Sequence, residues 1–178
     1  MRPIEFIRRE IDKGLCLLPD AMDSREAVLM LLAISGQESN WEHRWQVVDK
    51  KQPGLKGPAR SFWQGEKGGG MVHGVRTHRA SRVLAADLYA HFSVPATDEA
   101  IWIAIETNDA LAAALARLLL YTDPARLPAL GDEEDAWEYY LRLWLPGAWT
   151  NGTLAKRAEL RQKWAGYYAQ AHFCRNRS

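Results

Sequence analysis

The chain has 178 residues, of which 47% are hydrophobic and 25% charged, with a formal net charge of +1. That length fits one domain with a sizeable core, and the composition is that of a globular protein rather than a disordered one. The near-neutral balance argues against a general nucleic-acid binder.

Helical periodicity dominates. The opening "MRPIEFIRRE" is charged throughout and lacks the apolar centre of an export signal, so the chain is expected to be made in the cytoplasm without one. Ile4, Ile7 and Ile11 recur at helical spacing, and Gly14 is a candidate C-cap. Asp23, with Glu26 three residues on, forms a capping-box-like start to a helix through "AVLMLLAI". That helix is apolar all round and is expected in the middle of the fold. Its apolar run, Ala27 to Ile34, is far too short to span a bilayer.

From Val47 to His78 the pattern breaks at "QPG", "GP" and "GGG", which predicts loop or a short hairpin. Helix resumes near 79–92, with Val83, Leu84, Leu88 and Phe92 inward, and Pro95 breaks it. Thr97 caps "DEAIWIAIE", and Thr107 or Asn108 caps "DALAAALARLLLY", which stops at Pro124. Asp132 opens an acidic first turn before "AWEYYLRLW", as the helix dipole favours, and "PG" at 146–147 ends it. A last helix spans about Leu154 to Phe173. These elements predict a mainly α single domain over 1–178, with one irregular insertion after the central helix.

The tail from Lys156 carries Lys156, Arg157, Arg161, Lys163, Arg175 and Arg177 against one acid, Glu159. It reads as a solvated helix face; the alternative is a surface that lies on an anionic polymer. Cys16 and Cys174 have no metal spacing and imply no disulfide framework, so both are expected as reduced thiols. Eight tryptophans are many for this length. Most are expected in the core, although a Trp face also packs well on sugar rings.

The chemistry concentrates in two stretches, "SGQESNWEHRWQ" at 35–46 and "GPARSFWQGE" at 57–66. Glu38 continues the stripe Ala27, Leu31, Ile34, so it extends the buried face of its helix. It also sits in the last turn, where the dipole disfavours negative charge. Both effects favour the protonated acid. A carboxylic acid kept neutral near neutral pH is what protonation of a glycosidic oxygen needs. The competing reading is a structural ion pair of Glu38 with Arg44 or Arg60.

The pair of stretches resembles the signature of lytic transglycosylases and goose-type lysozymes, in which a catalytic Glu followed by Ser closes a buried helix and a later loop completes a sugar cleft. Glu38 and Ser39 match the Glu-Ser pair; Gly57, Phe62, Trp63 and Gln64 match the later loop more loosely. The likeness covers roughly residues 25–65. Ser61 stands where the family usually has Gly, and Trp63 where it has Met. The chain is also similar to small phage-encoded proteins of the lysozyme superfamily.

The resemblance implies a lysozyme-like fold and cleavage of the β-1,4 bond between N-acetylmuramic acid and N-acetylglucosamine in peptidoglycan. Glu38 would then be the general acid, with Ser39 orienting it. Trp63, Gln64 and Glu66 would line the substrate, and a late-helix tyrosine, Tyr140 in preference to Tyr139, would approach Glu38. The implied partner is the glycan strand of the cell wall, reached from a phage particle or after membrane permeabilisation. The alternative is a non-enzymatic virion adaptor that keeps a lysozyme-like scaffold and contacts virion or tail proteins.

Glycoside hydrolysis commonly uses two carboxylates. Glu66, Glu42 and Asp49 are candidates for the second, and Glu66 is two residues past Gln64. In a lytic transglycosylase the substrate's own 6-hydroxyl attacks, and one Glu serves as acid and then base. The remaining signals have structural explanations. "EKGGGMVHG" lacks the ending of a phosphate loop and reads as a flexible lid or turn. His73 and His78 read as surface histidines, and no metal or other cofactor is expected. Trp137, Tyr140 and Trp144 recur at helical spacing, which favours core.

Overall fold

The computed structural model describes residues 2–49, 51–52 and 54–175. The fold is mainly helical with one small sheet. In chain order come α1 (Pro3–Leu15), a 3-10 turn (Asp20–Met22), α2 (Arg25–Ser39), β1 (Trp45–Val47), β2 (Lys56–Arg60) and β3 (Gly65–Glu66). A π-helical turn (Gly70–Gly74) leads into α3 (Val75–Thr77), α4 (Arg82–His91), α5 (Asp98–Ala104) and α6 (Asp109–Thr122). The chain ends with α7 (Glu133–Trp144), α8 (Gly147–Thr150) and α9 (Leu154–Arg175). Among the described residues, no helix is long and apolar enough to cross a membrane.

Helix α2 is the axis of the packing. Residues Ala27 to Gln37 are all buried, so apolar side chains on every side of α2 meet protein, as its composition requires. Helices α1, α6 and α9 pack around it. Its N-cap is Ser24, whose hydroxyl accepts from the Ala27 amide at 3.2 Å, one residue later than the Asp23 cap expected from sequence. Thr97, Asn108 and Asp132 do cap α5, α6 and α7, each side chain accepting from the amide three residues on.

Three expectations change. Gly14 is inside α1 and is not its cap; a β-carbon there would come within 2.6 Å of the Ala110 carbonyl oxygen, so glycine allows α1 to press on α6. Val83 lies on the outer face of α4 and is 65% exposed, because the inward stripe is Ala85, Leu88 and Tyr89. The basic tail is only partly a solvated face. Arg161 bridges Glu133 and Glu134 of α7, the Arg157 guanidinium donates to the Trp149 and Thr150 carbonyls, and Lys163 is half-buried. Arg177 lies outside the described residues.

The break after α2 is an antiparallel three-stranded sheet in the order β1-β2-β3. Trp45 opposes Arg60 and Val47 opposes Lys56, with an irregularity between, and Ala59 opposes Glu66. The β2–β3 turn rests on α2 through Trp63, whose indole N–H donates to the Leu31 carbonyl at 2.9 Å. The Trp63 carbonyl in turn accepts from the Trp144 indole at 3.0 Å. One buried tryptophan thus joins the central helix, the sheet and the end of α7, and a cleft lies between them.

Candidate active site

The C-terminal end of α2 forms one wall of this cleft, of about 400 Å³. Glu38, Gln64, Glu66, Tyr140 and Trp144 all line it, with Gln37, Gly70 and Leu145 completing the rim. Glu38 arrives there because α2 ends abruptly. Asn40 closes the helix in the left-handed region (φ 55°), its amide donating to the Gly36 carbonyl, and Trp41 follows at φ 61°. Glu38 is therefore held in the final turn, enclosed by protein but open on one side to the cleft.

The Tyr140 hydroxyl donates to Glu38 Oε1 at 2.5 Å. The ring is fixed by stacking on Trp164 (centroids 5.0 Å apart, 18° between planes) and by Trp137 at 5.4 Å. Burial and the neighbouring acid hold the Tyr140 phenol well above its ordinary range, so it stays a donor. With Oε1 taken as acceptor, Oε2 is left to carry the acid's proton.

Burial is the largest influence on Glu38 and pushes its carboxyl up to about 7. The Tyr140 hydrogen bond and the Lys163 charge act the other way, and the Glu66 carboxylate pushes it up again. The ion-pair alternative does not occur. Arg44 makes a forked contact with Asp109 (2.9 and 2.7 Å), and Arg60 pairs with Glu106 at 2.7 Å. Both guanidiniums also lie over aromatic rings, Arg44 over Phe62 and Arg60 over Trp102.

The β2–β3 turn supplies the facing wall. Ser61 and Gln64 both adopt left-handed backbone, at φ 68° and 53°. Ser61 thus takes a conformation that favours glycine. Its hydroxyl accepts from the Trp63 amide at 3.2 Å, and its carbonyl accepts from the Gln64 side-chain amide at 2.8 Å. That bond fixes Gln64 at the cleft edge.

Two expected site residues face elsewhere. Ser39 is buried, and its hydroxyl donates to the Ser35 carbonyl at 2.8 Å instead of orienting Glu38. The Trp63 ring is fully buried beneath the turn, so it braces the cleft floor from below. The glycine-rich segment is a turn whose Met71 and Val72 are buried, not a loose lid. His73 and Arg76 both engage Asp98, and among the described residues no cluster of side chains suits a metal ion.

Sequence reasoning passed over Gln37, Trp144 and Lys163. Gln37 is buried, gives its side-chain N–H to the Leu160 carbonyl at 3.3 Å, and has a side-chain oxygen with no partner among the described residues. Trp144 is half-buried and packs against the core, as its helical spacing suggests, and it also lines the cleft. Lys163 has a discernible signal: it falls between Leu160 and Tyr167, on the stripe with Trp164 and Tyr168 that faces inward. No family model, curated protein or solved structure matches this chain.

Proposed function

We propose that this protein is a peptidoglycan-cleaving glycosidase with a lysozyme-like fold, acting on the bond between N-acetylmuramic acid and N-acetylglucosamine, either as a lytic transglycosylase or as a phage lysozyme. The observation that carries this reading is Glu38 itself. It is a carboxyl whose pKa is pushed up to about 7, in the wall of an open cleft, with one oxygen fixed by Tyr140. Such a group is poised as a general acid.

In this reading Oε2 gives its proton to the glycosidic oxygen as the bond to the anomeric carbon breaks. The Tyr140 hydrogen bond and the Lys163 charge ease that release by stabilising the carboxylate that remains, and its burial leaves it basic enough to accept a proton from the attacking hydroxyl. That hydroxyl is the substrate's own 6-hydroxyl in transglycosylation, or water in hydrolysis. Glu66 lines the same cleft and stabilises positive charge developing on the sugar ring. Gln64 and Trp144 present an amide and an aromatic edge to the acetamido sugars.

The competing reading, a non-enzymatic virion adaptor, draws on Ser39 and Trp63. Ser39 matches the resembled signature and Trp63 departs from it, and both serve packing in this chain. The two readings part on purified cell walls. The glycosidase clears turbid wall suspensions and Glu38→Gln does not; an adaptor binds walls or virion proteins without clearing.

A further inference from the structure

The positive charge that bears on Glu38 comes from α9, which packs along the central helix. The Lys163 ammonium, on α9, donates to the Gln37 main-chain carbonyl at 2.5 Å, one residue before Glu38. The same turn of α9 returns the contact, the Leu160 carbonyl accepting from the Gln37 side chain at 3.3 Å. A single turn of α9, from Leu160 to Lys163, therefore grips the residue beside the acid. The same helix supplies Trp164, on which Tyr140 stacks.

The approach of α9 is made room for by glycine. A β-carbon at Gly36 would lie 2.5 Å from the Tyr167 ring. Lys163 sits over that ring, 5.6 Å from its centre. Taking a lysine partly out of water is unfavourable, and burial indeed lowers the pKa of Lys163. A stabilising function elsewhere would explain why a cation is kept at this place.

We propose that Lys163 is the positioning residue of the cleft acid: anchored on the Gln37 carbonyl next to Glu38, its ammonium pins the end of α2 to α9 and holds a positive charge at the back of the acid's own turn. The groups that bear on the Glu38 charge are then three, each from a different element. Tyr140 on α7 and Lys163 on α9 favour the carboxylate, and Glu66 on β3 opposes it. On its own helix, Lys163 faces Lys156 and Glu159, whose opposite charges act on it in opposite directions. The catalytic consequence rests on the glycosidase reading, in which Glu38 returns to base after giving up its proton. Lys163 offsets part of the effect of burial, so that Glu38 does not hold its proton too tightly to give it up.

The test does not need substrate. The side-chain carboxyl carbon of Glu38 is titrated by NMR, with Glu38→Gln to assign the signal. In Lys163→Gln, which loses the charge and keeps a donor for the Gln37 carbonyl, the Glu38 midpoint is expected to move up by about one pH unit. In Lys163→Arg, which keeps the charge, it stays near the native value. An unchanged midpoint in a folded Lys163→Gln overturns the proposal, as does a shift of the same size in Lys163→Arg. Should Lys163→Gln fail to fold, the native protein is titrated with the lysine amines acetylated and with Lys163→Arg treated alike as the control; the shift must appear only in the former. Wall clearing is then measured on the same proteins. A midpoint shift in Lys163→Gln with no clearing by the native protein upholds Lys163 and sinks the glycosidase reading, whereas clearing by the native protein without a shift does the reverse.

Discussion

Tyr140 donates its hydroxyl to Glu38 Oε1 at 2.5 Å, joining residues that are 102 positions apart in the chain. The contact needs α2 to end at Asn40 and α7 to carry Tyr140 inward on the turn between Trp137 and Trp144. It ties two helices at the point where the chemistry is proposed.

Tyr140→Phe keeps the ring stacked on Trp164 and removes only the hydroxyl. The fold is expected to lose about 1 kcal/mol, the usual net value of one hydrogen bond. Because that bond favours the ionised acid, Glu38 will hold its proton to higher pH. The alkaline limb of the wall-clearing profile should therefore move up, with activity near neutrality down about tenfold from lost orientation. An unmoved limb would separate Tyr140 from the acid.

Glu66→Gln acts in the opposite direction. The Glu66 carboxylate pushes the Glu38 carboxyl up, so its removal should bring the alkaline limb down. If one acid suffices, as in transglycosylation, activity at the new optimum falls by less than about tenfold. A loss of several hundredfold would make Glu66 a working second carboxylate.

Glu38 also sets a pH dependence of stability. Its folded pKa, about 7, lies above the ordinary value of 4.5. The folded protein thus keeps a proton that the unfolded chain releases as pH passes 4.5. Stability is fully present below 4.5 and declines up to about pH 7, after which the cost is constant. The shift corresponds to on the order of 3 kcal/mol, reduced by the water that reaches the open side of the carboxyl. Glu38→Gln cannot ionise, so it should melt at least as high as the native protein at pH 7.5, with the advantage gone near pH 4. Paired thermal melts check this, and a Gln variant clearly weaker at neutral pH would mark Glu38 as an ionised structural partner.

Gly36→Ala tests the close approach of α9. The added methyl would meet the Tyr167 ring at 2.5 Å and Trp41 at 2.8 Å. Overpacking of this kind costs about 1–3 kcal/mol, against at most about 1 kcal/mol gained in helix propensity. The Tyr167 hydroxyl, which donates to Asn40 at 2.9 Å, must move with the ring. Urea unfolding should register a net loss of roughly 1–2 kcal/mol.

The helical frame was legible because caps and periodicity are local. Thr97, Asn108 and Asp132 each cap where their neighbours ask for it, and Leu31 and Ile34 point Glu38 inward by spacing alone. What a residue touches across the fold is not local. Ser39 looked like a partner of Glu38 in the chain, but a hydroxyl at the end of a helix finds the carbonyl four residues back first. Trp63 looked like a sugar platform, yet the turn needed a bolt into α2, and an indole supplies both bulk and a donor. Lys163 was hidden in a run of basic residues, where only its place on the inward stripe of α9 set it apart. Of the two neighbouring tyrosines it is Tyr140 that meets Glu38, because α7 turns Tyr139 towards the Leu120 carbonyl instead.

The most direct test of the central claim is mass spectrometry of the soluble fragments released from purified peptidoglycan. Native protein is predicted to release disaccharide-peptides cut between N-acetylmuramic acid and N-acetylglucosamine, ending either in a 1,6-anhydro sugar or in a free reducing end, while Glu38→Gln releases none. Walls left intact by the native protein, or the same fragments released by Glu38→Gln, would contradict it.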